Sequence, residues 1–171
     1  MASLFGAAFD KLDREIQTGI SKRLQHRRKR YIEAMKGVKR STEVILLGDT
    51  PGPGRPNTPG YHHTPFYSTK NSSLWLNKLL VEHHIPETVL LWFNTKLADG
   101  TALDPKLVEL QLNANPGVLV VCLGGNANKW FSRNFSEYAP VSTVYHPQAH
   151  KRFHAKEPYQ LMGVLQLALD L

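Results

Sequence analysis

Cysteine is almost missing from this chain of 171 residues. Cys122 stands alone, which excludes an internal disulfide and any zinc or iron–sulfur centre built from cysteines. Its neighbours Val120, Val121 and Leu123 mark it as a buried, inert thiol. No apolar run approaches the ~20 residues that a membrane helix needs. The first residues also lack the basic-then-apolar layout of a secretory signal. Internal repeats and low-complexity tails are absent as well. The expectation is a monomer in a reducing cytoplasm, with no membrane partner.

What is present is ordinary in amount and unusual in placement. A hydrophobic fraction of 42% with 20% charged residues fits one globular domain with a real core. The formal net charge is +7, and all of that excess falls between Asp10 and Arg40, where Lys and Arg outnumber Asp and Glu. From Ser41 onward the two signs balance. Segregated positive charge is the footprint of a polyanion partner, because neutralised phosphates release counterions. The blander alternative is a solvated basic helix that aids solubility.

Residues 3–36 read as helical, with Leu4, Phe5, Phe9, Leu12, Ile16 and Ile20 near the helical period and Gly19 expected to break or bend the run. From Ser21 to Lys36 the apolar Leu24, Tyr31, Ile32 and Met35 oppose Arg27-Arg28-Lys29-Arg30, and Gly37 is placed to cap. After Glu43 strands alternate with helices. Val44–Leu47, Thr88–Phe93, Gly117–Leu123 and Val141–Tyr145 read as strands. Helices are expected over Ser72–His84, from Asp104 to Asn113, over Asn126–Phe131 and over Glu157–Leu169. Asp104 with Pro105 is a capping pair. The Pro-rich stretch from Asp49 to Lys70 admits neither helix nor central strand, and a loop of that length in a compact domain is usually functional. This order implies an α/β fold with a mostly parallel sheet and helices on both faces. Residues 1–40 form a basic helical extension and 41–171 the α/β domain.

Two loop tips carry the chemistry. Gly48-Asp49-Thr50-Pro51-Gly52 follows the first strand directly, and His146-Pro147 follows the fourth. In an open α/β sheet such loops converge at the carboxyl edge, where ligands bind. An acid and an imidazole delivered there from different strands point to a reaction centre. Each has an ordinary reading too: Asp before Pro-Gly is common turn chemistry, and His before proline occurs in structural loops. His146, His150 and His154 are spaced by four, but Pro147 and the lack of an acidic or cysteine partner argue against a metal. Gly124-Gly125 lacks the lysine signature of a nucleotide-phosphate cradle. Trp75, Trp92 and Trp130 read as core. No cofactor is expected.

Taken in order, Gly48-Asp49-Thr50-Pro51-Gly52-Pro53, Pro65-Phe66, the Leu-rich helix, Asn94, the strand from Pro116 to Gly124 and His146-Pro147 resemble the uracil-DNA glycosylase superfamily. The similarity runs from about Glu43 to Leu171 and leaves the basic helix outside. The resemblance implies a three-layer α/β/α sandwich around a four-stranded parallel sheet, acting on DNA. It implies that Asp49 handles the attacking water or the positive charge on the sugar. Phe66 would stack on the flipped base, with Gly48, Thr50 and Pro51 lining it. Asn94 would read the pyrimidine edge, and His146 would donate to the base oxygen on which negative charge grows. The residue types suit that chemistry, since a carboxylate and a donor would each stabilise one end of the breaking bond. Extruding the base costs a few kcal/mol, which phosphate contacts from Arg27, Arg28, Lys29, Arg30, His150, Lys151 and Arg152 would offset.

The chain departs from that family in specific places. The subgroup with the most similar first motif has Glu-Ala where this chain has Asp49-Thr50, and it carries iron–sulfur cysteines absent here. The stretch after Pro147 is basic where relatives place an apolar wedge, although Phe153 could serve. Short, divergent members look similar to phage enzymes that join an amino acid to a 5-phosphomethyl pyrimidine in DNA. That gives a transferase alternative with an amino acid co-substrate, in a host cytoplasm. A third reading is a DNA-binding protein of the same fold without catalysis.

Overall fold

A computed structural model describes residues 4–50, 64–67, 71–138 and 141–171, without the side chains of residues 4–12 and 71. The expected loop tip from Pro51 to His63 and the apolar side chains of Leu4, Phe5, Phe9 and Leu12 lie outside the described residues.

Four short strands, β1 (Val44–Gly48), β2 (Leu90–Asn94), β3 (Leu119–Leu123) and β4 (Val141–Val144), form one sheet in the order β2-β1-β3-β4. Every pairing is parallel, with Gly48 opposite Asn94, Leu47 opposite Cys122 and Leu123 opposite Val144. The central strands are apolar at nearly every position because both faces are covered. Alternation then divides their side chains between two cores. Val44, Leu46, Trp92 and Val121 pack under α2 (Asn71–Glu82) and α6 (Gln160–Ala168). Ile45, Leu47, Phe93 and Cys122 pack under α3 (Pro105–Ala114) and α4 (Gly125–Asn134). The result is a three-layer α/β/α sandwich, as the sequence implied.

The helix α1 (Leu4–Met35) runs through Gly19 without the break that was one of the two expectations there. A Cβ at Gly19 would lie 3.3 Å from Val81 Cγ1, so the glycine admits close approach of α2. Gly37 ends the helix as expected. At φ +80 it lets Val38 N–H reach the Glu33 carbonyl at 3.0 Å and Gly37 N–H reach that of Ala34 at 3.0 Å, a Schellman closure. Asp104 caps α3 by accepting from Lys106 N–H, with Pro105 in the first turn.

The division at residue 40 does not describe the packing. Ile20, Leu24, Tyr31 and Ala34 of α1 are buried, and the helix packs against α2, α3 and the edge strand β2. Arg30 Nε donates to the Leu90 carbonyl at 3.2 Å, covering part of an edge that would otherwise stay unpaired. The segment is therefore a constituent of the fold. Among the described residues no helix is long and apolar enough to cross a membrane.

Candidate active site

The carboxyl ends of all four strands deliver polar groups to one edge: Asp49 after β1, Asn94 closing β2, Asn126 in the first turn of α4 after β3, and His146 after β4. Two glycines make this convergence sterically allowed. A Cβ on Gly48 would sit 2.6 Å from Asn94 Oδ1 and 3.4 Å from Phe66 Cε2. A Cβ on Gly124 would sit 3.1 Å from that of His146, at φ +100, a conformation that side chains resist. Gly124 N–H donates to the Val144 carbonyl at 2.8 Å, which holds the exits of β3 and β4 together.

Asp49 is half-buried and directed by two contacts. Its carboxylate Oδ2 accepts from Asn126 Nδ2 at 2.9 Å, and its carbonyl accepts from Lys96 N–H at 3.0 Å. Among the described residues no donor reaches Oδ1. Asn126 was not singled out as a site residue in the sequence. The signal was there in the strand–Gly-Gly–helix order, which sends the first helical side chains to the same edge.

His146 caps the short helix α5 (Pro147–Phe153). Its Nδ1 accepts from Gln148 N–H at 3.1 Å. A neutral ring that accepts at Nδ1 carries its proton at Nε2, so the free nitrogen is a donor. Burial lowers the imidazole from its usual value, and the nearby Asp49 charge opposes that shift only in part. The ring therefore stays neutral over a wider range than a free histidine.

Asn94 is buried at 3% exposure, and no hydrogen bond to its carboxamide is found among the described residues. Phe66 approaches the same Gly48, and its ring centroid lies 5.6 Å from His146 and 5.7 Å from Trp92. Its backbone holds φ +52, unusual for a bulky residue. Thr50 is exposed beside Asp49, and Pro51 lies outside the described residues.

The expected phosphate contacts divide sharply. Arg27 and Arg30 are interior, not solvent-facing. Arg27 NH2 donates to Glu87 at 2.6 Å and to Asn77 Oδ1 at 2.8 Å, while Arg30 NH2 holds the Ser41 carbonyl at 2.8 Å. Arginine stems cover apolar surface, and here the forks find acceptors inside the fold, so neither is offered to DNA. His150 is also buried, stacked on Trp75 at 5.6 Å with Nε2 against the Glu157 carbonyl at 2.9 Å. It packs α5 onto the domain and is withdrawn from the phosphate set. Arg28 is half-buried, whereas Lys29, Lys151 and Arg152 are exposed.

The fold and this edge define a parallel α/β sandwich with an acid, an imidazole, a carboxamide and an aromatic ring in one place. No protein-family model matches the chain, and no curated protein matches it.

Proposed function

We propose that this chain acts on DNA, taking one flipped pyrimidine into the carboxyl-edge site and, most simply, hydrolysing the bond between uracil and its deoxyribose. The resemblance to the uracil-DNA glycosylase superfamily supports this reading. The observation that carries it is the Asn94 carboxamide, without a partner among the described residues, at the Gly48 edge that it shares with the Phe66 ring and the His146 donor. A carboxamide presents one donor and one acceptor side by side, which matches the N3–H and a carbonyl of uracil.

In this reading Phe66 stacks on the extruded base and Asn94 reads its edge. The bond between C1′ and N1 breaks with its electron pair moving to the base, where His146 Nε2–H donates to the oxygen that gains charge. Asp49, its Oδ2 held by Asn126, faces the sugar. It stabilises the positive charge there and receives the proton of the water that bonds to C1′. Donors aimed at developing charge typically contribute roughly 3 kcal/mol each. Keeping the imidazole neutral keeps Nε2 a donor without placing a full charge against the Asp49 side.

A second reading, group transfer at the 5-substituent, is favoured by exposed Lys151 and Arg152 in the last turn of the helix that His146 caps. There an amino acid nitrogen bonds to the 5-methylene carbon, phosphate leaves with the electron pair, and the amine loses a proton. Oligonucleotides carrying a single uracil or a single 5-phosphomethyl pyrimidine separate the readings. Alkali-labile breaks at uracil support hydrolysis. A mass gain on the modified base with added amino acid supports transfer. Neither product, with salt-sensitive binding that survives both Asp49→Asn and His146→Ala, would leave a DNA-binding protein without chemistry.

A further inference from the structure

The geometry points to Arg27, on the helix outside the resemblance, as the positioning residue that holds Phe66 in place as a base platform; this rests on the reading of the site given above. Phe66 sits at φ +52, a conformation that costs energy for a bulky side chain and persists only where surroundings impose it. The imposing groups are visible. Arg27 NH1 donates to the Phe66 carbonyl at 3.0 Å and to the Pro65 carbonyl at 3.3 Å. Asn77 Nδ2 donates to the same Phe66 carbonyl at 2.9 Å and to that of Ser73 at 2.8 Å, which fixes the amide on α2. Two donors on one carbonyl set the peptide plane after Phe66, and the plane sets where the ring goes.

The clamp is itself locked. Arg27 NH2 reaches both Asn77 Oδ1 and Glu87 Oε1, and Glu87 Oε2 accepts from Trp92 Nε1 at 2.7 Å. The guanidinium lies 4.0 Å over the Trp92 ring, and that ring is the one Phe66 leans on. The Arg27 side chain is fully buried, so its charge serves the interior alone. One cation thus fixes both the backbone of the platform and the ring behind it. Lysine has the charge but not the fork, and it cannot hold Glu87, Asn77 and two carbonyls together.

The test is a double-mutant cycle with uracil and 5-phosphomethyl pyrimidine oligonucleotides, read alongside hydrogen exchange at the Thr64, Phe66 and Tyr67 amides. Arg27→Lys should lower kcat/KM roughly tenfold or more, mostly through KM, when Phe66 is present. In the Phe66→Ala background the same change should cost less than about twofold, because the platform is already gone. Equal losses in both backgrounds would mean general structural damage and would overturn the inference. Asn77→Asp is the second variant: it keeps an acceptor for Arg27 but turns a lone pair toward the Phe66 carbonyl, and it should show the same dependence on Phe66. If the native protein transforms neither oligonucleotide, the functional reading fails and exchange alone decides the clamp. Exchange faster by about tenfold at residues 64–67 in either variant, with the sheet amides unchanged, upholds it. Unaltered exchange there refutes it.

Discussion

Adding one methyl group at Gly48 isolates the geometry on which the site depends. The alanine Cβ would fall 2.6 Å from Asn94 Oδ1, against 3.4 Å for the contact with Phe66 Cε2, which is tolerable. Asn94 must therefore give way by about 0.8 Å, while the backbone at Gly48 needs no positive φ and stores no strain. Overpacking of this kind costs about 1–3 kcal/mol. For a chain of this size that lowers the melting temperature by roughly 2–4 °C per kcal/mol. A displacement near 1 Å at a group that orients substrate can cost on the order of a hundredfold in rate. Thermal unfolding of Gly48→Ala should show the stability loss, and cleavage of uracil-containing oligonucleotide should show the larger functional one. Asn94→Ala removes the obstructing atom, so adding Gly48→Ala to it should cost little further stability. A stability loss of the same size in both backgrounds would refute the steric argument, and full activity in Gly48→Ala would refute the role of Asn94.

Three further outcomes are expected. Glu87→Gln leaves Arg27 buried without its carboxylate, and chemical denaturation should report a loss of about 3–5 kcal/mol. His146 should titrate below the usual histidine value by NMR, and Asp49→Asn should depress it further, since burial lowers it and the Asp49 charge is what opposes that. Because the unfolded chain then binds the proton more readily, the stability linked to His146 is present above the unfolded pKa of about 6.5. It is lost as pH falls toward the folded value, and His146→Gln should flatten that slope. Replacing Lys151 and Arg152 together by alanine should reduce the slope of log affinity against log salt by about 1–2 on duplex DNA, whereas equal slopes would remove both from the phosphate contacts.

The parallel sandwich could be read from the chain because buried strands such as Val44–Leu47 and Val120–Leu123 announce themselves by continuous apolar runs, and because Asp104-Pro105 and Gly37 mark helix ends by local chemistry. The position of Asp49, Asn94 and His146 at the carboxyl edge of the sheet was legible for the same reason, since each ends or follows an apolar strand. Composition misled where burial depends on partners distant in sequence. The run Arg27-Arg28-Lys29-Arg30 looks like one basic face, yet a helix rotates 100° per residue, so Arg27 and Arg30 turn inward while Lys29 turns out. Nothing local reveals that Glu87, 60 positions away, waits for Arg27. The helix after Pro147 was also missed, although His146 with Pro147 repeats the capping logic of Asp104 with Pro105. The strand–Gly-Gly–helix order places Asn126 at this edge, and the pairing of β3 with β1 adds that its neighbour there is Asp49.

Base extrusion is the most direct test of the account. A duplex series with a single uracil or 5-substituted pyrimidine next to 2-aminopurine reports unstacking as a rise in fluorescence, with binding followed in parallel by anisotropy. The account predicts that fluorescence rises on binding for at least one of these pyrimidines and falls back when Asn94 or Phe66 is changed to alanine. Saturated binding across the whole series with the 2-aminopurine signal unchanged would contradict it.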